Sequence, residues 1–350
     1  MIRIEERMEQ SLIVKIATRV VAVLLALGIS AAIFISYGIN PIYAFSTMFS
    51  KSLTPYGLNE VVTKFIPLEL CGVGLIVAFK SGMWNIGAEG QLLVGAIMAT
   101  WAALFLDVPD FTRLPLILVL SAFGGIIWAL IPAFLKAKLE INEVIVTLMM
   151  NYIASFLVNY LVYGPWKGSK EWGFPYTDKF PESAWLPTIP GTRIHWPTLV
   201  VASIAAFTVF FIMFKTTLGF EMRVCGQSRR VAEYSGMNYT RVLMVSMAIS
   251  GALAGLAGAG EVCGIHRRLR YASAISSGYG YSGIIVAWLS GLHPIASLLS
   301  ALFIAFLLAG GDILQVSLGL PLGIVNVFNG TILLSLLISE FFGRYRLRWK

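Results

Sequence analysis

Charged residues are scarce in this sequence, and their scarcity excludes an ordinary water-soluble protein. Asp, Glu, Lys and Arg together make up 13% of the 350 residues, whereas hydrophobic residues make up 57%. A soluble domain has about 25% charged residues. The chain is therefore predicted to be an integral membrane protein that crosses the bilayer many times.

Cysteine and histidine are also rare, with three residues of each type. Cys71, Cys225 and Cys263 are not spaced as in a disulfide framework or a zinc site. The histidines are equally scattered along the chain. We therefore predict no metal site and no cofactor in this chain.

Motifs of common enzyme classes are absent as well. The sequence contains no G-x-x-x-x-G-K-[ST] phosphate-binding loop, so we do not expect it to hydrolyse ATP by that route. It contains neither H-E-x-x-H nor G-x-S-x-G, and no nucleophile stands beside a partnered base. We predict no catalytic residues, and these absences favour transport over a membrane-embedded enzyme or a scaffold.

Apolar runs dominate the rest of the chain, and a bilayer core requires about 20 apolar residues per helix. The runs cover residues 16–38, 62–80, 87–106, 113–135, 143–163, 196–214, 241–262, 279–292, 294–316 and 321–342. The run at 279–292 is short, so it forms a half-helix or pairs with its neighbour. We predict an all-α, polytopic fold with about ten transmembrane helices in a single domain over residues 1–350.

The net charge is +8, from 26 Lys and Arg against 18 Asp and Glu. The positive-inside rule accounts for this excess without nucleic acid, because most basic residues fall in segments on the side of the N-terminus. Both termini are therefore predicted to be cytoplasmic, next to anionic membrane lipid. The basic cluster from His266 to Arg270 falls on the other side. Either one helix is miscounted, or this cluster faces an acidic external partner.

A polar stretch at residues 82–91 separates two of the apolar runs. It places Asn85, Glu89 and Gln91 among glycines in a region that must lie in the membrane. A carboxylate near hydrocarbon costs roughly 2.5–3.5 kcal/mol, and irregular backbone survives at depth only where protein or water covers it. The stretch is predicted to line a translocation path. An ordinary loop with a capped helix start is the alternative.

A second polar set lies in the run at 143–163. Glu143, Thr147 and Asn151 are four residues apart and therefore share one face of a helix. Such a stripe faces protein or a water-filled path, so pore lining and interhelical hydrogen bonding both remain open. Farther along the chain, Gly251 and Gly255 lie in a run of small residues and predict close helix packing.

Two long loops connect the predicted helices. The loop at about 165–197, the aromatic loop, is rich in Trp, Tyr, Phe and Pro, which is typical of residues at headgroup level. It forms either a lid packed on the outer surface or a docking surface. The loop at about 216–239, the basic loop, interleaves Arg223, Arg229 and Arg230 with apolar residues, as in a short amphipathic helix. Such a helix is either an interfacial anchor or a docking handle for a cytoplasmic motor.

Several motifs resemble those of one transporter family. They are N-I-G-A-E-G-Q at 85–91, N-E-V-I-V-T-L-M-M-N-Y at 142–152 and L-G-F-E-M-R-V-C-G-Q-S at 218–228, and the segment 278–294 fits the same family. They resemble bacterial ABC-importer permeases of the branched-chain amino acid, monosaccharide and nucleoside superfamily. The likeness covers residues 55–340 and is greatest to nucleoside-type permeases that work with basic-membrane-protein-like lipoproteins.

The resemblance implies a type II-importer-like permease fold in a multi-part importer of the bacterial inner membrane. Its partners would be two cytoplasmic ATP-binding domains, which hold ATP and Mg²⁺, a second permease that is a homologue or a copy, and an external substrate-binding lipoprotein. The basic loop would contain the helix that couples to the ATP-binding domains. The positions that match the family's coupling helix are Gly219, Arg223, Gly226, Arg229, Ala232 and Gly236.

The resemblance also implies a substrate and a path. It implies import of a purine or pyrimidine nucleoside by alternating access, and neutral amides suit such an uncharged solute. A simple sugar or a riboflavin-like solute is the alternative substrate, and an ion-coupled secondary carrier is the alternative mechanism. The residues predicted to form the translocation path are Asn85, Glu89, Gln91, Glu143, Thr147 and Asn151.

Overall fold

The computed structural model describes residues 2–6, 24–25, 27–169 and 173–349. Within these residues the chain is built from helices and one ribbon of two short strands. The helices are α1 (Leu27–Ser36), α2 (Pro41–Ser52), α3 (Pro55–Lys80), α4 (Ala88–Phe105), α5 (Asp110–Leu139), α6 (Glu143–Tyr163), α7 (Trp196–Lys215), α8 (Thr217–Gln227), α9 (Arg229–Tyr234), α10 (Tyr239–Ala259), α11 (Ala272–Ile275), α12 (Tyr279–Leu289), α13 (Pro294–Leu318) and α14 (Leu322–Arg344). A 3₁₀ helix (Glu182–Ala184) lies in the aromatic loop, a π-helix (Gly260–His266) continues α10, and strands β1 (Ile2–Glu6) and β2 (Tyr345–Trp349) pair antiparallel.

Seven helices in the described residues are long and apolar enough to cross a membrane, or eight if α1 and α2, bent by 115° at their junction, form one span. Helix α12 and the segment Leu322–Ser335 are shorter apolar helices. Each predicted apolar run contains a helix, although residues 16–23 of the first run lie outside the described residues. The all-α, polytopic class is confirmed, and the predicted count of ten is approximate. We did not predict helix α2 or the β-ribbon.

The chain forms two compact units, one of residues 1–61 with 305–350 and one of residues 62–304. The prediction of one domain over residues 1–350 stays a prediction. In the first unit, the ring of Phe34 packs against Phe45 and Phe328, with centroids 5.6 and 5.7 Å apart. Ile2 pairs with Trp349 in the ribbon, so the two ends of the described chain lie side by side.

Helices α4, α5 and α10 pack together in the second unit, and glycines form their closest contacts. A Cβ atom on Gly125 of α5 would lie 2.0 Å from the carbonyl oxygen of Gly251 on α10. One on Gly95 of α4 would lie 2.4 Å from the Cα atom of Gly255. Any side chain at these positions would push the helices apart. The prediction that Gly251 and Gly255 permit close packing is confirmed.

Residues 81–87 connect α3 to α4 without regular structure. Gly82 turns the chain with a φ of +81°, a conformation that residues with a side chain rarely adopt. Ser81, Met83 and Asn85 are all fully buried. The irregular backbone is therefore covered by protein, as a membrane environment requires.

Candidate functional site

Asn85 and Gln91 pair through their side-chain amides at the start of α4. Nδ2 of Asn85 donates to Oε1 of Gln91 at 3.2 Å, and Nε2 of Gln91 donates to Oδ1 of Asn85 at 3.1 Å. Nδ2 of Asn85 also donates to Oγ of Ser250 on α10 at 2.9 Å. Its Oδ1 accepts the backbone N–H of Gly87 at 2.9 Å. The pair therefore joins the irregular segment to both α4 and α10.

Thr147 and Asn151 on α6 bind the backbone of the same segment. The N–H of Ile86 donates to Oγ1 of Thr147 at 3.3 Å, and the N–H of Gly90 donates to Oδ1 of Asn151 at 2.8 Å. Nδ2 of Asn151 donates to the carbonyl of Ile86 at 2.9 Å and to the hydroxyl of Tyr281 on α12 at 3.2 Å. Because the first N–H groups of a helix have no partner within it, α6 supplies partners that the start of α4 needs.

Glu89 faces α12 from the first turn of α4. Its Oε2 accepts the backbone N–H of Gly280 at 2.8 Å. A Cβ atom on Gly280 would lie 2.2 Å from the backbone nitrogen of Glu89, so a glycine is needed for this approach. A carboxylate at the start of a helix is stabilised by the helix dipole.

The structure brings five of the six predicted path residues together, and each is at most 8% exposed. We call them the polar junction: Asn85, Glu89, Gln91, Thr147 and Asn151. They form a closed, hydrogen-bonded contact of α4, α6, α10 and α12. Of the two interpretations of the α6 stripe, interhelical hydrogen bonding describes this conformation.

The carboxylate of Glu143, the sixth predicted path residue, binds outside the polar junction, although its backbone carbonyl accepts a hydrogen bond from Oγ1 of Thr147 at 2.7 Å. Its Oε2 pairs with Nζ of Lys136 near the end of α5 at 2.8 Å. The cap of α6 is Asn142, whose Oδ1 accepts the N–H of Val144 at 3.0 Å. Glu143 therefore fastens the corner between α5 and α6.

Ser250 and Tyr281 belong to the junction but were not predicted as site residues. Each is one of several hydroxyl-bearing residues in a mostly apolar helix, and nothing in the sequence distinguishes it from the others. Their partners, Asn85 and Asn151, are 165 and 130 residues away in the chain. Such pairs become visible only in the folded chain.

The basic loop contains α8 and α9, and α8 lies directly on the ends of two longer helices. A Cβ atom on Gly219 would lie 2.1 Å from the carbonyl oxygen of Ile212 in α7. One on Gly226 would lie 2.1 Å from the carbonyl oxygen of Lys80, the last residue of α3. Arg223 places its guanidinium 5.5 Å from the ring centroid of Phe214. These residues hold α8 against the unit.

Arg229 on α9 has three partners. Its Nη1 donates to Oε1 of Glu140 at 2.6 Å, and its Nε donates to Oε1 of Glu233 at 2.8 Å. The guanidinium also lies 4.9 Å from the ring centroid of Tyr239. The hydrogen bonds with Glu233 and Glu140 raise the pKa of the Arg229 guanidinium above its usual value.

The two sides of α9 differ sharply in exposure. Ala232 is fully buried, whereas Val231 is 55% exposed and Tyr234 is 96% exposed. Gly236 ends the helix with a φ of +76°. All six residues that the family resemblance assigned to coupling lie in this loop. The exposed apolar surface of Val231 and Tyr234 was not among them.

The aromatic loop packs along the segment that follows the π-helix. Three backbone hydrogen bonds join them, from Thr177 N to Leu269 O (3.1 Å), Phe180 N to Arg267 O (3.0 Å) and Leu186 N to Cys263 O (3.1 Å). A further bond runs from Leu269 N to Oγ1 of Thr177 at 3.0 Å. The described part of this loop, which omits residues 170–172, is thus packed on the unit.

The aromatic loop binds the basic cluster from His266 to Arg270, which the helix count placed on the side opposite the N-terminus. The guanidinium of Arg267 lies 4.1 Å from the ring centroid of Trp185, and those of Arg268 and Arg270 lie 5.6 and 4.9 Å from that of Tyr176. Cation–π contacts of this kind are attractive. The cluster and the aromatic loop are therefore on one side, with α7 and α10 as the intervening spans. This agrees with the predicted order of helices in this stretch.

His195 ends the aromatic loop and begins α7. Its Nδ1 is hydrogen-bonded to Oγ1 of Thr198. A Cβ atom on Gly264 of the π-helix would lie 2.5 Å from Cδ2 of His195, so the ring fills the space beside this glycine. Burial, together with the nearby charge of Arg193, lowers the pKa of the His195 imidazole to about 4.

Comparison with known proteins agrees with this architecture. Residues 57–338 match the family described as "Branched-chain amino acid transport system / permease component". The glucose ABC transporter permease protein TsgB13 of Haloferax volcanii is 35% identical over 94% of this chain and 89% of its own. The guanosine ABC transporter permease protein NupP of Bacillus subtilis is 35% identical over 90% of each chain.

The nucleoside ABC transporter permease protein NupB of Lactococcus lactis is 31% identical over 91% of this chain and 90% of its own. These matches confirm the resemblance that the motifs at 85–91, 142–152 and 218–228 indicated. They also make the chain a transport subunit rather than an enzyme. With its several apolar spans, the chain is a multi-pass membrane permease that belongs to the family of branched-chain amino acid transport system permease components.

Proposed function

We propose that this chain is the transmembrane subunit of an ATP-driven importer that carries a purine or pyrimidine nucleoside across the bacterial inner membrane. The observation that carries this proposal is the similarity, over about nine-tenths of the chain, to a guanosine permease and a nucleoside permease. The amides of Asn85, Gln91 and Asn151 support it. Asn and Gln both donate and accept hydrogen bonds, as the hydroxyls and base edges of an uncharged nucleoside require.

The translocation path in this proposal opens at the polar junction, with Glu143 at its α6 end. The six residues of the path are Asn85, Glu89, Gln91, Glu143, Thr147 and Asn151. A hydrogen bond within a protein is only about 0.5–1.5 kcal/mol more favourable than the hydrogen bonds to water that it replaces. The junction can therefore exchange its hydrogen bonds for bonds to solute or water as the helices separate. Alternating access between two such states is the mechanism that we infer.

The partners in this proposal bind at the basic loop and on the opposite face of the membrane. Two cytoplasmic ATP-binding domains, which carry out ATP hydrolysis, dock on α8 and α9. The exposed Val231 and Tyr234 beside Arg230 support this docking, since exposed apolar side chains grouped among polar ones mark interaction sites. A second, homologous permease and an external lipoprotein complete the importer.

The termini are assigned to the cytoplasm in this proposal. The pairing of Ile2 with Trp349 supports a common side for both ends of the described chain. The positive-inside rule supports the cytoplasm as the side of the basic loop. Protease protection of tags placed at each end tests this assignment in sealed vesicles.

Glucose is the second candidate substrate, because TsgB13 is as similar to this chain as NupP is. The polar junction suits either solute, since sugars and nucleosides both present neutral hydroxyls. The choice therefore depends on a transport measurement.

The test is uptake by the complete assembly, purified from its host and reconstituted in liposomes. We expect radiolabelled guanosine to enter only when hydrolysable ATP is present, and unlabelled nucleosides, but not glucose, to compete. Uptake of glucose alone would favour the second candidate. Uptake of either solute under an ion gradient without ATP would contradict the importer and favour a secondary carrier.

A further inference from the structure

One ionic bridge joins the basic loop to a distant corner of the same unit. Arg229 binds Glu233 and Glu140 at 2.8 and 2.6 Å. Glu233 lies four residues away on α9 itself, so its bond only supports that helix. Glu140 is 89 residues away, at the end of α5. The bond to Glu140 therefore ties α9 to the corner between α5 and α6.

A hydrogen bond and an ion pair hold the corner between α5 and α6. Glu140 is the C-cap of α5 with a φ of +54°, and its N–H bonds to the carbonyl of Lys136 at 3.1 Å. Lys136 in turn pairs with Glu143 in the first turn of α6 at 2.8 Å. A force applied to Glu140 is consequently applied to the start of α6.

Helix α6 leads from this corner to the polar junction. Thr147 and Asn151 bind the backbone of Ile86 and Gly90 at 2.8–3.3 Å. If α6 is displaced, it either carries this backbone with it or breaks these hydrogen bonds. Arg229, Glu140 and α6 thus form a continuous chain of contacts to the candidate path.

The basic loop has a second contact near the junction, and it is of a different kind. Gly226 packs against the backbone of Lys80 and Gly82 without any side-chain bond. A packing contact of this sort resists compression but not separation. The bridge of Arg229 with Glu140 resists separation as well, because charges of opposite sign attract over the whole of a small displacement.

We propose that Glu140 is a positioning residue, through which α9 pulls on the α5–α6 corner and the polar junction during transport. This rests on the proposed function, in which ATP-binding domains move α9. The side chain of Glu140 is 71% exposed and that of Arg229 is 42% exposed. An exposed pair contributes little to stability, but its loss can shift an equilibrium between two conformations by up to about fivefold.

The test is a double-mutant cycle on coupling in the complete reconstituted assembly. Guanosine taken up per ATP hydrolysed is measured for the wild type, Glu140→Gln, Arg229→Gln and the double variant. We expect each single variant to lower this ratio by two- to fivefold while ATP hydrolysis continues. The double variant should be no worse than the worse single variant, because the same bridge is lost.

Lys138→Gln is the matched control, since it removes a charge from an exposed side chain at the end of α5 without touching α9 or the bridge between Arg229 and Glu140. Its ratio should stay at the wild-type value. An unchanged ratio in Glu140→Gln overturns the proposal, as does a multiplicative loss in the double variant or a lowered melting temperature in Glu140→Gln. Guanosine uptake by the wild-type assembly is measured before any variant is compared. Absence of ATP-driven uptake there would overturn the proposed function rather than the role of Glu140.

Discussion

The aromatic loop and the basic loop each connect two helices of the same unit, yet different interactions hold them. The aromatic loop is bound through backbone hydrogen bonds to residues 263–269, and arginines stack on its rings. The basic loop is bound through glycine contacts of α8 and the bridge at Arg229. Tyr234 at its tip is 96% exposed, whereas Phe180 and Leu186 of the aromatic loop are buried.

The two loops thus differ in the contacts that hold them and in how far their buried and exposed side chains are separated. Backbone hydrogen bonds and the buried Phe180 hold the aromatic loop to the unit, although Phe174 of this loop is 59% exposed. An almost fully exposed Tyr beside an exposed Val leaves the basic loop with apolar area in contact with water. Substitutions at the contacts that hold either loop should therefore act on stability, whereas substitution of the exposed Tyr234 should act on transport.

The largest effect on stability is expected for Gly226→Ala in the basic loop. The new Cβ atom would lie 2.1 Å from the backbone oxygen of Lys80, and a backbone atom has no side-chain freedom with which to move away. We expect a loss of about 3 kcal/mol in the free energy of unfolding, measured by thermal unfolding in detergent. Gln227→Ala, at the exposed next position, is the control and should be near neutral.

A second expectation for Gly226 concerns rescue. Because the clash is with backbone, Lys80→Ala should not relieve it, and the two losses should add within about 0.5 kcal/mol. A double variant more stable than this would show that the contact is adjustable. The contact at Gly226 would then resemble the side-chain contact at Gly264 rather than differ from it.

A smaller loss, about 2 kcal/mol, is expected for Gly264→Ala under the aromatic loop. Here the new Cβ atom meets a side chain, with Cδ2 of His195 at 2.5 Å. Removing that side chain makes room, so His195→Ala combined with Gly264→Ala should lose at least about 1 kcal/mol less than the two single losses added. Strict additivity in thermal unfolding would contradict the packing described for this loop.

Acidification should weaken the aromatic loop by a still smaller amount. The pKa of His195 is lowered to about 4 in the folded chain, from 6.5. Between pH 4 and pH 6.5 the imidazole binds a proton in the unfolded chain but not in the folded chain. The contribution of His195 to the free energy of unfolding is therefore fully present above pH 6.5 and decreases as the pH falls. From pH 7 to 5.5 we expect a loss of about 1 kcal/mol. The free energy of unfolding of the wild type is compared with that of His195→Asn at each pH across this range. A difference between the two proteins that does not change with pH would contradict this prediction.

The smallest effect on stability, and the sharpest contrast, is expected for Tyr234→Ala. Its side chain contributes almost no buried area, so the melting temperature should not change. If ATP-binding domains dock at this tip, ATP-driven uptake should fall at least tenfold, as for a central aromatic residue of an interface. Arg230→Gln, on the same helix, is a milder comparison. Full uptake by Tyr234→Ala would place the docking surface elsewhere.

The fold was predictable where one type of residue repeats over a long stretch. Apolar runs indicated the long helices, and the spacing of Gly251 and Gly255 indicated close contact before their partners Gly95 and Gly125 were known. Helix α2 was missed because it is short and mixed in polarity, although Asn40 and Pro41 form a typical helix start.

The candidate site was predictable in its residues but not in its pairings. The common face of Thr147 and Asn151 follows from helical geometry, yet their bonds to Ile86 and Gly90 depend on how α6 packs on α4. Glu143 shares that face but binds Lys136 across a corner. Counting charges also could not anticipate that Arg267 and Arg270 would stack on aromatic rings.

The glycine contacts among α4, α5 and α10 have a mechanical consequence. Where Gly125 meets Gly251 and Gly95 meets Gly255, backbone touches backbone and no side chain is available to repack. We therefore expect these three helices to keep their positions relative to one another during transport. Helix α6 touches the start of α4 through the hydrogen bonds of Thr147 and Asn151, which can exchange partners, so we expect α6 to move against these helices during transport.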